Sequence, residues 1–497
     1  MTAVYLIEAT PYDPDASAEV TKRFSIGSLA PTYGGDLWTA RVERSPSFSV
    51  EAFSDPIIGG RSRVSIGTVR ILHGDGGVNL RNLNWYGRSL EVKRGQRGDA
   101  LGDFTTVIRG RITSMRWDRE VFELGVSDLA SELDVPLQDT LYAGSGDDEG
   151  GDDIKGRPKP RCLGKPRNLA PVLVDRANLV YQFSDRAAKA VDAVYDQGLA
   201  LDSEGDISTM SLADVRDWPA CGGRYVTDLA NGLIRLGAPP AGTPTMDAQG
   251  DEGGGSLVQT AADLVRHIAG QVLADPADLD TTSFSDANTS NSSPCSLYVS
   301  GERPSIREVA ERLMASIGGF VAVDASGLLK VGVIEIGTSQ GTVREREIVD
   351  LRRLDVARPY WRRKLGYARA WKVLGQDVID KSAITDANAD FMGQRERFVV
   401  AEDASIKTAL AEARESELST LLDAEADAST ENSRQLSLLG ARRDRYELQL
   451  QNRAHEFEVG ETYTLVHSSL RVPAGQDLIV RRVSERSRES TVLEVWG

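Results

Sequence analysis

Phe104-Thr-Thr-Val-Ile-Arg-Gly-Arg-Ile112 and, just downstream, Val121-Phe-Glu-Leu-Gly-Val126 are short runs rich in β-branched and aromatic residues. Successive side chains on a strand point to opposite faces, so runs of this kind build half-buried strands. The same texture recurs upstream in Val4-Tyr-Leu-Ile7, Trp38-Thr-Ala-Arg-Val42, Phe48-Ser-Val-Glu-Ala-Phe53, Val64-Ser-Ile-Gly-Thr-Val-Arg-Ile-Leu72 and Ser89-Leu-Glu-Val92. Turn clusters Gly74-Asp-Gly-Gly77 and Arg94-Gly-Gln-Arg-Gly98 separate them. Strands this short and closely spaced predict a β-barrel or sandwich over residues 1–140. Ser127-Asp-Leu-Ala-Ser-Glu-Leu133 reads as a short capped helix that closes it.

Residues 141–170 change character. Gly144-Ser-Gly-Asp-Asp-Glu-Gly-Gly-Asp-Asp153 is acidic and glycine-rich, and Lys155-Gly-Arg-Pro-Lys-Pro-Arg-Cys-Leu-Gly-Lys-Pro-Arg167 is basic and proline-rich. Glycine costs backbone entropy and proline removes donors, so an extended linker or arm is expected, docking on an acidic neighbouring subunit. Over 171–300 the pattern predicts a small β domain with a helix. Its strands are Asn178-Leu-Val-Tyr-Gln-Phe183 and a sheet of Tyr225-Val-Thr-Asp-Leu229, Leu233-Ile-Arg-Leu236 and Thr243-Pro-Thr-Met-Asp247. Its helix has Thr260 as N-cap and Leu264, Val265, Ile268 and Val272 on one face, and residues 280–294 form a polar loop.

Over 301–400, Ser305 and Glu308 make a capping-box pattern ahead of Ile306, Val309, Ala310, Leu313, Met314 and Ile317 at helical spacing. Gly318-Gly319 stops that helix, and a hairpin follows through Phe320-Val-Ala-Val323 and Leu328-Leu-Lys-Val-Gly-Val-Ile-Glu-Ile336. Over 401–497, one long helix from Asp403 to about Ala428 precedes four strands that complete a β domain. The fold class is β-rich α+β: several small barrel or sandwich domains, a few packed helices and long linker arms.

The 497 residues are too many for one ordinary core, and 40% apolar content suffices for several. With 58 Lys plus Arg against 74 Asp plus Glu, the net charge of −16 opposes a surface built to grip phosphate backbones or an anionic leaflet. The start lacks a signal-peptide pattern and no apolar run reaches membrane-spanning length, so no membrane insertion is expected. The cysteines Cys162, Cys221 and Cys295 are too few and too scattered for a disulfide framework or ligand spacing, and read as reduced thiols.

The histidines His73, His267, His455 and His467 match no metal or catalytic motif. His267 reads as a packed or half-exposed residue on its helix. The acids Asp147, Asp148 and Glu149 sit inside a glycine run that resembles a phosphate loop only in outline and would repel phosphate. They also lack the order of a calcium loop. Two carboxylates need no linear motif, so a glycosidase pair is weighed, with tryptophans for sugar stacking. Trp38, Trp117 and Trp496 fall in or beside strands, where core or sheet-face roles are commoner. The expected sets of catalytic, cofactor-binding and metal-ligating residues are therefore empty, and no cofactor and no enzymatic activity are expected.

Several stretches together resemble the hub proteins of long phage tails and gene transfer agents. Residues 156–182, the turn Gly232-Leu-Ile-Arg-Leu-Gly-Ala-Pro-Pro-Ala-Gly242 with its continuation to Gly250, and the capped helix and hairpin at 305–336 carry the likeness. So do Arg442-Arg-Asp-Arg445, Phe457-Glu-Val-Gly-Glu-Thr-Tyr-Thr-Leu465 and Glu494-Val-Trp-Gly497. The resemblance implies a homotrimeric ring at the tail tip of a virion. It also implies contacts with a distal tail ring protein, a tip or central fibre protein and the tape measure protein, and DNA that passes without specific binding. An acidic conduit wall would limit sticking of that DNA. The rival readings are a carbohydrate-binding receptor protein at the tail end and a cell-wall hydrolase.

Overall fold

The computed structural model describes the chain apart from residues 1–2, 27–30, 44–45, 54–61, 73–79, 119, 208–211, 220, 274, 355–357, 385–386, 452, 454, 471 and 488–489. His73 and the turn Gly74-Asp-Gly-Gly77 lie outside the described residues. The fold is β-rich α+β, as the strand pattern predicts.

Seven strands between Ala3 and Ser127 close into a barrel. Going round it, Ala3–Ala9 is followed by Ser89–Gln96, Thr105–Trp117, Val121–Ser127, Val69–Leu72, Thr39–Val42 and Lys22–Ile26, which pairs back to Ala3–Ala9. Alternation fills the interior: Ile7, Leu90, Val92, Ile108, Ile112, Phe122 and Leu124 are all buried. Trp85 plugs the space, its ring 5.3 Å from Phe122 and its indole N–H donating to the Leu80 carbonyl at 2.7 Å.

The run from Val64 to Leu72 is not one strand. Arg63–Ile66 belongs to a different sheet, and Val69–Leu72 to the barrel. The break falls at Gly67, whose N–H donates to the Ser47 carbonyl at 2.6 Å. A Cβ there would stand 2.5 Å from the Ser47 hydroxyl and 3.2 Å from its carbonyl oxygen, so glycine eases the close approach of the two segments.

Phe48–Glu51 likewise leaves the barrel. It pairs with Arg63–Ile66 on one side and with the long strand Val472–Ser487 on the other. The sheet it joins runs Thr342–Arg344, Thr462–His467, Val472–Ser487, Ser490–Trp496, Arg445–Gln451 and Ile348–Arg353. Barrel and sheet therefore share one apolar core that extends from Tyr5 to Trp496.

A second core lies between them in sequence. Helices Ala261–Ala269, Thr281–Ser290 and Ile306–Ser316 pack on the hairpin Gly319–Val323 and Leu329–Val333. The caps form as the sequence dictates: Thr260 accepts from the Asp263 N–H, and Ser305 and Glu308 exchange both capping-box bonds. The expected polar loop at 280–294 is instead largely helical. Asp280 caps it by accepting from the N–H groups of Thr282 and Ser283, and Phe284 and Ala287 bury its inner side. The expected small sheet also divides: Thr245–Gln249 pairs with Ala190–Asp196, apart from the sheet of Arg224–Asp228 and Leu233–Leu236.

The long helix expected from Asp403 to Ala428 is three elements. Helix Ala404–Ala409 is followed by strand Arg414–Ser419 and then helix Glu425–Leu439. In Arg414–Ser419 alternate acids face cations of the parallel strand Tyr360–Tyr367: Glu415 lies 3.5 Å from Arg362, and Glu417 lies 3.0 Å from Lys364. Cross-strand charge pairing of that kind favours a strand over the helix that composition suggests.

Residues 141–170 do not reach away as an arm. The backbone is mostly irregular, as its glycines and prolines require, but Arg161–Leu163 is a buried strand paired with Leu297–Val299. Acids of the same chain pair with part of the basic run: Glu149 binds Lys159 at 2.6 Å, and Asp185 and Asp251 bind Arg161. No helix among the described residues is long and apolar enough to cross a membrane.

Candidate assembly site at the barrel–sheet junction

The charged groups most deeply committed in this chain hold strands together. Leu478-Ile-Val-Arg-Arg-Val483 places two arginines inside an apolar strand, and Glu494 sits within the equally apolar run Thr491-Val-Leu-Glu-Val-Trp496. Burying any of them alone would cost several kcal/mol, so the strand positions demand pairing. The Arg481 side chain is 5% exposed and that of Glu494 is 4% exposed, and they meet at 3.1 Å. Arg481 Nε also donates to the Phe53 carbonyl at 2.7 Å, and its Nη2 approaches Glu51 at 3.3 Å. One guanidinium thus ties the Phe48–Glu51 crossover to the sheet. Arg445 at 2.8 Å and Arg482 at 3.2 Å complete the shell of cations around Glu494.

His455 closes the other end of the junction. Its ring stacks 5.6 Å from Phe48 and lies 6.0 Å from Tyr5 of the barrel. Burial pushes its pKa down to about 4, and Arg94 adds to the effect, so the imidazole is neutral at pH 7. The His455 backbone N–H donates to Glu485 at 3.0 Å, and the Thr491 hydroxyl donates to the same carboxyl. Burial pushes Glu485 above the ordinary carboxylate range, against those hydrogen bonds. Phe48, Val107, Lys330, His455 and Phe457 line a cleft of about 210 Å³ between barrel and sheet.

Arg161 makes a second knot, fully buried. It reaches Asp185 at 3.1 Å and Asp251 at 2.5 Å, and His267 Nε2 shares the same Asp251 oxygen at 2.8 Å. Strand, loop and helix Ala261–Ala269 are thereby joined through one side chain. Gly250, next to Asp251, admits the crossing: a Cβ on it would stand 2.1 Å from the Cys162 carbonyl. Asp423 lies nearby in the fold, accepting from Ser296 Oγ at 2.7 Å; burial pushes its pKa up to about 7, against that bond and the charges of Lys165 and Arg167.

The residues weighed from sequence are dispersed. Cys162 and Cys295 are buried, where desolvation raises both thiols, and Cys221 is exposed. His467 is buried, with Nδ1 3.0 Å from the Ser469 hydroxyl. Among the described residues no group of three or more His, Cys, Asp or Glu is placed to hold a metal ion. Glu149 of the acidic run accepts from the Ala143 N–H at 2.8 Å and pairs with Lys159. Trp38 and Trp496 are buried, whereas Trp117 is 51% exposed near the tip of a barrel hairpin. Arg161, Arg481 and Glu494 were not singled out by the sequence reading. The signal for the last two was opposite charges embedded in otherwise apolar strands.

No family model matches the chain, and no curated protein matches it. Solved structures align with it over most of its length, at TM-scores below 0.5. The 43 kDa tail protein of prophage MuSo2 from Shewanella oneidensis shares 8% identity over 99% of this chain and 98% of that one, with a TM-score of 0.42. The tail protein from Neisseria meningitidis MC58 shares 10% over 99% and 96%, with a TM-score of 0.41. A chain from the virion of a native gene transfer agent particle shares 16% over 74% and 92%, with a TM-score of 0.44.

Proposed function

We propose that this chain is a structural hub of a phage-like tail tip, joining the end of the tail tube to a central tip or fibre protein around a DNA conduit. The observation that carries the reading is the commitment of its charged residues. The deeply buried cations and acids, Arg161, Asp185, Asp251, Arg481 and Glu494, are paired across separate elements, and Arg161 reaches Asp251 and Arg481 reaches Glu51 over long stretches of chain. They make a stiff scaffold from a closed barrel and a sheet rather than a solvent-facing reactive set. The segments that resemble tail hubs serve that scaffold: Gly250 lets strands cross, and Glu494 and Trp496 sit in the sheet that receives the crossover.

In this reading the chain works without catalysis, as a ring of three copies. It contacts a distal tail ring protein on one side and a tip protein on the other, and the tape measure protein ends against it. Light scattering on the purified 53.9 kDa chain, alone and with its neighbouring tail proteins, tests this. A species of three times the chain mass that binds those proteins supports the hub. A persistent monomer that binds none of them would remove it.

A further inference from the structure

One group of cations among the described residues gathers around two aromatic rings. Lys165, Arg167, Arg369, Trp371, Phe391 and Asp423 line a narrow cleft. The guanidinium carbon of Arg369 lies 4.6 Å from the Trp371 ring centroid, and those of Arg167 and Arg397 each lie 3.9 Å from Phe391. Arg397 is occupied by the carbonyls of Ala368 and Phe391, at 3.0 and 2.6 Å. Arg167 leans on Asp247 at 3.6 Å and Asn388 at 3.4 Å.

Neither the Lys165 nor the Arg369 side chain makes a hydrogen bond or ion pair to a described residue, although the Lys165 charge acts on Asp423, and Arg369 Nε is buried without a partner. Burial, then repulsion from Arg395 and Arg312, lowers the Arg369 pKa, with only weaker opposition from Glu396 and Glu302. A guanidinium fixed on an indole face, with donors unused and like charges close by, is a preorganised half of a fork-to-carboxylate contact.

The surroundings select the anion. Asp192 and Asp247 line the adjoining cleft beyond Lys165 and Arg167, and Asp423 lines both clefts. A nucleic acid carries one charge per roughly 1.7 Å of duplex axis and would press further phosphates onto those acids. A carboxylate on a peptide brings one charge at a time and fits between them. We propose that the cleft between Lys165, Arg369 and Trp371 is a docking seat for a carboxylate side chain on an acidic segment of a partner protein. The seat rests on the geometry of the cleft and does not depend on the tail-hub reading.

The test is fluorescence anisotropy of fluorescein-labelled hexaglutamate with the full chain at low ionic strength. Saturable binding that weakens as salt is added is expected, with a loss of about tenfold or more in the K165Q/R369Q double variant. K165Q alone, a change at an exposed position, should lose part of that affinity, and R352Q on a distant strand should stay within about twofold of the parent. Binding should also shift the intrinsic tryptophan fluorescence, and W371F should abolish that shift. Absence of saturable binding to the parent chain, or equal affinity in K165Q and the double variant and the parent, would overturn the seat. Competition by single-stranded DNA as effective as that by unlabelled hexaglutamate would overturn the choice of a carboxylate over a phosphate.

Discussion

Replacing Asp423 with Asn should stabilise the chain, and more so at pH 8 than at pH 5. Asp423 ordinarily titrates near 3.8, and burial pushes it up to about 7 in the fold. A raised folded-state pKa means that the stability linked to this group is fully present below the unfolded value and is lost as pH rises through the folded one. At pH 8 the native state holds an ionised, desolvated carboxylate. About three pK units at roughly 1.4 kcal/mol each set an upper bound of about 4 kcal/mol, and contact with solvent reduces this to about 2–4 kcal/mol. Asn keeps an oxygen for the Ser296 hydroxyl, which now lies 2.7 Å from the carboxylate, and removes the charge. At pH 5 the native group is already protonated, so the gain should shrink to about 1–2 kcal/mol. Urea unfolding of parent and variant at both pH values reads the difference directly, because all other titrations are common to both. Equal gains at pH 5 and pH 8, or a loss at pH 8, would refute the argument.

Removing Arg481 as Arg481→Met should cost about 2–4 kcal/mol in urea unfolding: it strips Glu51 and the Phe53 carbonyl of a partner, while Glu494 keeps Arg445 and Arg482. Arg161→Leu leaves Asp185 and Asp251 buried with less compensation, and should cost about 3–5 kcal/mol and lower expression of folded protein. His455 is depressed to about 4, so its contribution is present above pH 6.5 and is lost as pH falls from there toward 4, by up to about 3 kcal/mol. His455→Phe, which fills the stack on Phe48, should flatten that acid limb of the unfolding profile.

The legible parts of this fold were those whose signal is local. Ser305 and Glu308 announce their helix because a capping box and an apolar face coincide within a few turns. The barrel strands were readable because each buries every second side chain. Helix Glu425–Leu439 was missed for the opposite reason: its inner face carries Glu431, Asn432 and Gln435. Asn432 donates to the carbonyls of Arg363 and Val399 at 3.2 Å each, and Arg363 donates to Gln435 at 2.5 Å. A helix that buries hydrogen-bonding groups has no apolar period to read. The crossover was equally silent, since Phe48 and Val50 alternate as well for one sheet as for another, and only the charge on Arg481 distinguishes the partner. At the candidate site, charged residues inside apolar strands were visible in the sequence, but which acid meets which base is a property of the assembled sheet.

The pairing of Phe48–Glu51 with residues 482–485 sets a schedule for synthesis. The barrel strands are all available once residue 127 has left the ribosome, and they can close early. The crossover strand can pair early only with Arg63–Ile66, since the long neighbour on its other edge emerges more than 400 residues later. At typical elongation rates that is roughly 20–90 s during which a nascent chain carries an open strand edge. Chaperone occupancy during translation should therefore peak on this segment, and a chain interrupted before residue 482 should aggregate through it.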